Sequence, residues 1–460
     1  MIKRLILSLF FLTGLVFANE KLDNDLAYLT RLMKECYAGY EYNIEQGFDF
    51  DAAIENIREL YIKKSVESTK EYDSELLAQC INLELLEKLK VPDNHLQIVS
   101  KNQIYGVKQN FWYASKVYFT KQGEDYYTTF SLNFKIRRKS LYTGDKNNLY
   151  KIIRHNKEYF VFGLNSPYEI KTAELSLNNK QYKVKVKNKP VLLRYKENWI
   201  GIRKTEKTVY FSASDCIFMS WDNSSYNIQV KKFEDYVSEL RRKNYENVIV
   251  DLRGNPGGLV DRLTPILSSL NFGGDYKNPN KVYKKINTIN KGKRLDSELI
   301  RQAMEQFSKL NPGLENHVEI DSAYEYYAAN QLEIYDFTPV YKGKLIILTD
   351  TNTASASELF ISYSYLFENV YLIGTNTSGT IDFGALLDYY LPESNVRMHL
   401  ASGSFKENEF LQNNSHWHGD TKGFYPDYWC NAATLLPTLI YITGDKKLKK
   451  KLRGLSIQLL

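Results

Sequence analysis

Ser355 lies in a run of small and polar residues at a point where a helix is expected to begin. The run, residues 350–358, reads DTNTASASE. At a helix N-terminus the backbone N–H groups are unpaired and the dipole is positive, so both stabilise a developing negative charge. The nucleophile of an acyl-transfer enzyme needs such surroundings. Ser355 and Glu358 also have the spacing of a capping box, which is the commoner and purely structural use of these residue types.

A glycine pair, Gly257 and Gly258, is the second feature that could do chemistry. It ends the run VIVDLRGNPGG at residues 248–258. Glycine lets a backbone approach a ligand closely and turn its N–H groups outward, as an oxyanion hole requires. The structural alternative is a corner where glycine only relieves strain. The run lacks the spacings G-x-G-x-x-G and G-x-x-x-x-G-K, so it does not indicate dinucleotide or P-loop phosphate binding.

The chain has six histidines and four cysteines, and these are the remaining candidates for chemistry. His95 directly follows a helix-breaking stretch at residues 91–94. The pattern H-x-H-x-D at residues 416–420 could hold a metal, but short loop clusters of this kind often arise by chance, and no metal or cofactor is predicted. The cysteines lack C-x-x-C spacing, which disfavours a zinc or redox site, and Cys36 and Cys80 could form a disulfide.

Each of the two motifs is predicted to lie in a turn between a strand and a helix. A short apolar run at residues 345–348 has the length of a buried strand, and residues 359–367 after Ser355 are apolar at helical spacing. Likewise a buried strand at 248–250 precedes the glycine pair, and a helix from about 259 to 270 follows it.

The rest of the chain divides by its periodicity. Residues 24–91 repeat apolar side chains at helical spacing and predict three helices, whereas residues 104–203 alternate with period two and predict strands, with a hairpin turn at Asn178 and Asn179. Residues 273–342 form a polar insertion with one predicted helix at 296–310. We therefore predict a signal peptide at 1–18, a helical cap at 19–103, a β-rich middle domain at 104–205, a core at 206–445 and a basic tail at 446–460.

The N-terminus has the features of a secretory signal. Residues 1–4 are basic, residues 5–17 are apolar, and residues 16–18 fit a small-residue cleavage site, so the mature chain is expected to begin near Asn19. The apolar run is too short to span a bilayer comfortably, although an uncleaved anchor is an alternative. No second run of membrane-spanning length is present. We predict an exported protein, periplasmic or secreted, and a net charge of +7 over 460 residues gives no support for nucleic-acid binding.

The runs VIVDLRGNPGG and TNTASASE together resemble the C-terminal processing (tail-specific) serine protease family, which also contains the tricorn core protease. The order of segments is similar too, ending in G-x-x-P-D at residues 423–427. The resemblance is specific over about residues 208–428. It implies an α/β fold with a crotonase-like core, here joined to a helical cap and a β-rich middle domain.

The resemblance also implies roles for individual residues. Ser355 would be the nucleophile, and the N–H of Ala356 with one from Gly257 or Gly258 would bind the oxyanion. In the tail-specific branch a Lys 25 residues after the Ser is the base, but Thr380 stands at that position and no Lys occurs between residues 371 and 405. The tricorn-like branch uses a His that follows a D-x-H loop, and His95 fits it, with an imidazole pKa already near neutrality.

That branch orients its His through an acidic residue just before G-x-x-P-D, which corresponds to Asp420, relayed by a Ser that is replaced here by Asn94. Asp93 is therefore an alternative orienter, and His416 and His418 are alternative bases. The predicted function is an exported serine endopeptidase that acts on peptides or unfolded proteins. The alternatives are a catalytically inactive peptide-binding or scaffold protein on the same fold, and a Ser/Lys peptidase that uses a displaced lysine such as Lys422.

Overall fold

The structure is a computed structural model that describes residues 20–66, 68, 72–131, 135–188, 200–216, 223–258, 263–270, 298–299, 301–303, 305, 341–406 and 409–452. The helices are α1 (residues 20–36), α2 (Tyr40–Glu45), α3 (Phe50–Ser65), α4 (Ser74–Glu84), α5 (Asn223–Arg242), α6 (Thr264–Leu270), α7 (Ala356–Ser364), α8 (Glu409–Gln412), α9 (Ala432–Thr443) and α10 (Leu448–Lys451). Residues 298–299, 301–303 and 305 are also helical and lie within the helix predicted at 296–310.

The strands are β1 (Gln97–Val99), β2 (Ile104–Gly106), β3 (Phe111–Gln122), β4 (Asp125–Ser131), β5 (Leu149–Arg154), β6 (Lys157–Ser166), β7 (Thr172–Leu177), β8 (Lys180–Lys185), β9 (Lys187–Asn188), β10 (Ile200–Lys204), β11 (Thr208–Ala213), β12 (Asn247–Asp251), β13 (Lys344–Thr349), β14 (Val370–Gly374), β15 (Phe383–Tyr390), β16 (Arg397–Ser404) and β17 (Tyr428–Trp429). The chain is mixed α/β, as the sequence predicted.

Helix caps explain where the predicted N-terminal helices begin. Asp49 precedes α3 and accepts a hydrogen bond from the N–H of Ala52, and Asp73 precedes α4 and accepts from the N–H groups of Glu75 and Leu76. These carboxylates satisfy donors that a helix start leaves unpaired. The three predicted helices are confirmed, and the additional short helix α2 lies between the first two.

The first compact unit comprises Met1–Lys108, Lys284–Ile334 and Asp382–Glu409. Its antiparallel sheet has the order β15-β16-β1-β2. One face of this sheet, including Ile98 and Met398, packs in a single core with apolar residues of α1, α3 and α4. Segments more than 280 residues apart in sequence therefore share one core.

The second unit comprises Gln109–Tyr283, Tyr335–Ile381 and Phe410–Leu460. Its six-stranded sheet has the order β10-β11-β12-β13-β14-β17, and all pairings except that of β10 with β11 are parallel. Strands β11 and β12 are buried along their whole length, as is typical of parallel strands covered on both faces. Because β12 and β13 are adjacent and parallel, the glycine turn and the Ser355 turn leave the same edge of the sheet.

The predicted β-rich segment forms a sheet of order β4-β3-β6-β5, with β9 paired to β3, and a separate hairpin of β7 and β8. Asn178 and Asn179 have positive φ values of 48° and 60°, which matches the two-residue hairpin turn predicted there. All four cysteines are buried and none is in a disulfide, so the pairing of Cys36 with Cys80 is not observed.

Some predictions fall on residues that are not described, namely the signal segment, most of the insertion at 273–342 and the end of the basic tail. The predicted domain boundaries stay predictions. Within the described part of the chain, no helix combines the length and apolar character needed to cross a bilayer.

Candidate active site

Ser355 immediately precedes α7 and has an unusual backbone conformation, with φ +54° and ψ −119°. The ordinary N-cap residues Asp49 and Asp73 are extended, with φ near −100°. A non-glycine residue rarely adopts positive φ, and such strain concentrates at functional sites. The Ser355 N–H donates to Oε2 of Glu358 at 3.0 Å, and the capping box that the sequence predicted is present. The strained turn distinguishes Ser355 from a simple cap.

The glycine turn packs directly against the Ser355 turn. Gly257 has φ +95°, and a Cβ at this position would lie 2.8 Å from Cβ of Ser355 and 2.9 Å from the backbone N of Ala356. No other residue type fits such a close approach without displacing the turn. The structure therefore brings together Ser355, Ala356, Gly257 and, next in the chain, Gly258.

Hydrogen bonds connect the two turns at several points. Oδ1 of Asp350 accepts from the N–H of Gly254 at 2.9 Å. The hydroxyl of Thr353 donates to the carbonyl of Leu252 at 2.8 Å. At the end of β12, the fully buried Arg253 forms an ion pair with the equally buried Asp251, at 2.6 Å between Nη2 and Oδ2. These contacts hold the two turns in a fixed relation.

The backbone N–H groups of Gly257, Gly258 and Ala356 differ in whether they have a hydrogen-bond acceptor. The Gly257 N–H donates to Oδ1 of Asn255 at 2.9 Å. For the N–H groups of Gly258 and Ala356, no acceptor is found among the described residues. Gly257 is buried and Gly258 is exposed. Of the two predicted glycine donors, Gly258 is thus the one whose N–H is open.

Glu358 connects the Ser355 turn to the loop at residues 375–380. Its buried carboxylate accepts from the N–H of Ser355, from the N–H of Gly379 at 2.8 Å and from the N–H of Thr380 at 2.8 Å. Burial raises the pKa of Glu358 to about 7, while the hydrogen bonds, including one from the hydroxyl of Thr377, act in the opposite direction. Thr380, at the position of the family's lysine, donates its hydroxyl to Ser378 at 2.7 Å.

His95 and Asp93 lie in the first unit, in the turn before β1. Oδ1 of Asp93 accepts from the backbone N–H groups of His95 at 2.8 Å and Leu96 at 3.2 Å, so this carboxylate shapes the turn. Burial, followed by the nearby His399, lowers the pKa of His95 to about 4. The ring is therefore neutral at pH 7, and its buried Nδ1 has no hydrogen-bond partner among the described residues.

Asp420 is buried in the second unit, where its Oδ1 accepts from the N–H of Ile381 at 3.0 Å. His416 stacks on Tyr365 at 4.8 Å between ring centroids. Tyr365 follows the last of the nine residues of α7, and the helical rise places its backbone about 15 Å from that of Ser355.

His418 packs against Tyr425, with ring centroids 3.8 Å apart. The three side chains of the H-x-H-x-D pattern thus have separate partners. Within the described ranges no group of three or more His, Cys, Asp or Glu side chains has the arrangement of a metal site.

Sequence reasoning missed the roles of Asn255, Asp350 and Glu358. An Asn two residues before a Gly is a recognised signal for a side-chain-stabilised turn, and it could have identified Asn255. Glu358 was interpreted only as a capping residue. Its contacts with residues 377–380 depend on how the two loops approach each other, for which the sequence contains no local signal.

Residues 221–428 match the family model described as peptidase family S41. Over this segment the chain is similar to the S41 peptidases. Both turns of the site lie inside the match, whereas His95 lies outside it. This similarity supports a peptidase, a hydrolase whose substrates are peptides or proteins, and it agrees with the resemblance found in the sequence.

Several solved structures are similar to this chain. Mature CPAF is 13% identical over 96% of this chain and 98% of its own, with a TM-score of 0.43. A putative peptidase from Parabacteroides merdae ATCC 43184 is 12% identical over 92% and 97%, with a TM-score of 0.41. The photosystem II D1 C-terminal processing protease is 11% identical over 92% and 96%, with a TM-score of 0.38. No curated protein matches the chain.

Proposed function

We propose that this protein is an exported serine endopeptidase with Ser355 as its nucleophile. The observation that carries the proposal is the strained Ser355 turn packed against Gly257, with the N–H groups of the buried Ala356 and the exposed Gly258 lacking an acceptor among the described residues. A nucleophile next to two unpaired backbone donors is the arrangement that acyl transfer requires.

In the proposed reaction Oγ of Ser355 attacks the carbonyl carbon of a peptide bond and its proton passes to His95. The two N–H groups bind the oxyanion of the tetrahedral intermediate. His95 then returns the proton to the leaving amine, and an acyl-enzyme ester remains on Ser355. Water, deprotonated by the same imidazole, hydrolyses the ester and frees the serine.

His95 is the proposed base because it is neutral near pH 7 and has an unpartnered ring nitrogen, as a proton acceptor needs. The displaced-lysine alternative has less support, because Lys422 is exposed. Asp420 stays the proposed orienter of His95. Asp93 already accepts from two backbone N–H groups, which supports a role in shaping the turn.

The test compares the purified mature protein with four variants, Ser355→Ala, His95→Ala, Asp420→Asn and Lys422→Ala. Unfolded casein serves as substrate and a fluorescent phosphonate as a label for reactive serines. We expect no turnover by the Ser355 and His95 variants, reduced turnover by the Asp420 variant, and wild-type turnover by the Lys422 variant. Loss of turnover in the Lys422 variant with activity retained in the His95 variant would instead support a Ser/Lys peptidase.

A non-catalytic peptide-binding protein is the second candidate, favoured by Thr380 at the position where the tail-specific branch has its lysine. It predicts a folded wild-type protein that binds casein peptides but neither cleaves them nor reacts with the phosphonate. Binding that is unchanged in Ser355→Ala, without any turnover in the wild type, would establish this alternative.

The proposed export is tested separately. Expression of the full chain in a bacterial host, followed by fractionation and intact-mass measurement, should give a periplasmic or secreted product that begins at Asn19. A cytoplasmic product that retains residues 1–18 would contradict export without affecting the proposed chemistry.

A further inference from the structure

Asn255 is a fully buried residue between the two turns, and the mechanism above leaves its side chain without a role. Its Oδ1 accepts from the N–H of Gly257 at 2.9 Å, and its Nδ2 donates to the carbonyl of Ala213 at 3.1 Å. The two partners fix the orientation of the amide, because a carbonyl only accepts and an N–H only donates. The bond from an Asn side chain to the N–H two residues later is an Asx turn.

The backbone around Asn255 is held as firmly as its side chain. The carbonyl of Asn255 accepts from the N–H of Ala354, directly before Ser355, at 3.0 Å, and the carbonyl of Gly257 accepts from the N–H of Cys216 at 2.8 Å. Both the N–H and the carbonyl of Gly257 are therefore occupied. The next N–H along the turn is that of Gly258, which is exposed and has no acceptor among the described residues.

We infer that Asn255 is a positioning residue that determines which glycine serves the oxyanion hole. By accepting the Gly257 N–H it withdraws that donor and fixes the turn so that the N–H of Gly258, together with that of Ala356, meets the oxyanion. This inference rests on the proposed peptidase function. The close approach of Gly257 to Ser355 further restricts the turn, because a rotation of the Gly257 peptide would move the backbone against the nucleophile.

The first test needs no enzymatic activity. Selective labelling with ¹⁵N-glycine makes amide exchange measurable for the 24 glycines. The Gly257 amide should exchange slowly in the wild type, because it is buried and hydrogen-bonded, and the Gly258 amide should exchange fast. In Asn255→Ala the Gly257 amide should exchange at least tenfold faster. A fast Gly257 amide or a protected Gly258 amide in the wild type would overturn the inference.

The second test is kinetic. Loss of a properly placed oxyanion donor acts on the transition state, so Asn255→Ala should lower kcat by about 10- to 1,000-fold while KM changes less than about twofold. Asn255→Ser keeps a shorter side-chain acceptor and should recover part of the loss. The thiol of Cys216 also donates to Oδ1 of Asn255, at 3.5 Å. The matched control is Asn247→Ala, because Asn247 is another buried amide of the same unit, at the opposite end of β12, where its Nδ2 donates to the hydroxyl of Thr208, and kcat should stay at the wild-type level.

These outcomes separate the two proposals. The expected exchange pattern without turnover or phosphonate labelling by the wild type would refute the peptidase and leave the Asx turn as a structural feature only. A folded Asn255→Ala with wild-type kcat would refute the positioning role and leave the peptidase standing. If Asn255→Ala does not fold, Asn255→Ser carries the test, with reduced kcat, unchanged KM and an unchanged melting temperature as the supporting result.

Discussion

At the scale of single residues, Ser355 is held in a conformation that costs a non-glycine residue of order 1–3 kcal/mol. The surrounding bonds offset this cost, above all the N–H donated to Glu358 and the contacts between the two turns. Strain that the rest of the structure supports is typical of sites where a side chain must be presented in one direction. The same residue is therefore expected to oppose stability while serving function.

We predict that Ser355→Gly is more stable than Ser355→Ala by about 1 kcal/mol, although both are inactive. Glycine tolerates φ +54°, so the substitution relieves strain of about 1–3 kcal/mol and loses about 0.5–1 kcal/mol to the greater freedom of the unfolded chain. Urea unfolding of both variants measures the difference. Equal stability of the two variants would show that the turn is unstrained and that Ser355 does not differ from an ordinary helix cap.

His95 should make stability depend on pH. Its pKa is lowered from 6.5 to about 4, so between these values the unfolded chain binds more protons and stability falls as pH falls. The full effect is about 3 kcal/mol. The groups near the ring are His399, Asp93 and the carbonyl of Phe383. Burial raises the pKa of Asp93 to about 7, so protonation of Asp93 increases stability as pH falls and opposes the effect of His95.

The comparison with His95→Gln isolates this contribution. Relative to the variant, the wild type should lose about 3 kcal/mol between pH 7.5 and pH 4, measured by urea unfolding at several pH values. If His95 is the base, kcat/KM should fall on the acid side of its pH profile only near pH 4, where the imidazole becomes protonated. A stability difference that is constant with pH would show that His95 titrates normally and is not desolvated.

At the scale of elements, the site is two strand–turn–helix corners placed side by side by the parallel pairing of β12 with β13. Each turn contributes what the other lacks, since the first has the glycine backbone and the second has the serine and the helix start. Their separation leaves no room for a side chain at Gly257. The geometry of this pair is therefore expected to tolerate very little change.

We predict that Gly257→Ala abolishes activity and lowers the free energy of unfolding by about 3 kcal/mol or more, since a strained φ adds to an overlap with Ser355. Gly123→Ala is the matched control. Gly123 has φ +60° with nothing within 4 Å of its Cβ position, so only about 1 kcal/mol of strain should appear and activity should remain. Similar losses in both variants would mean that the close approach to Ser355 is not the cause.

At the scale of the whole molecule, each compact unit is assembled from segments that are distant in sequence. Asp25 shows how this is achieved in the first unit. Its buried carboxylate accepts from the hydroxyl of Tyr72 at 2.8 Å and from the N–H groups of Glu393 at 2.8 Å and Ser394 at 3.0 Å. One side chain of α1 thus fastens the hairpin of β15 and β16, more than 360 residues away.

We expect Asp25→Ala to destabilise the first unit by about 2–4 kcal/mol, because three hydrogen-bond donors lose one acceptor. Asp51→Ala is the control, since Asp51 forms an exposed ion pair with Lys34, and such pairs contribute about 0–1 kcal/mol. Hydrogen exchange of the β15–β16 amides, together with thermal unfolding, measures the effect. Equal effects of the two substitutions would show that the Asp25 contacts do not stabilise the hairpin.

The sequence by itself determined the features that depend on neighbouring residues. The helices of residues 24–91, the hairpin at Asn178 and Asn179, the strands before both motifs and the start of a helix after Ser355 follow from periodicity, caps and turn residues. The resemblance to the C-terminal processing protease family was also readable, because each of the two motifs is contiguous in the chain, and the family model of S41 peptidases matches the segment that holds both. The predicted roles of His95 and Asp420 remain predictions, as they come from the resemblance.

Tertiary structure alone decided how these pieces are combined. It showed that Ser355 adopts a positive φ, that Gly257 contacts it, and that Asn255 occupies the Gly257 N–H and leaves that of Gly258 open. It also assigned Asp382–Glu409 to the unit of the N-terminal helices. Strand register and loop contacts arise between residues far apart in the chain, so no local pattern encodes them, and a hydrogen-bond donor is free or occupied only once its neighbours are in place.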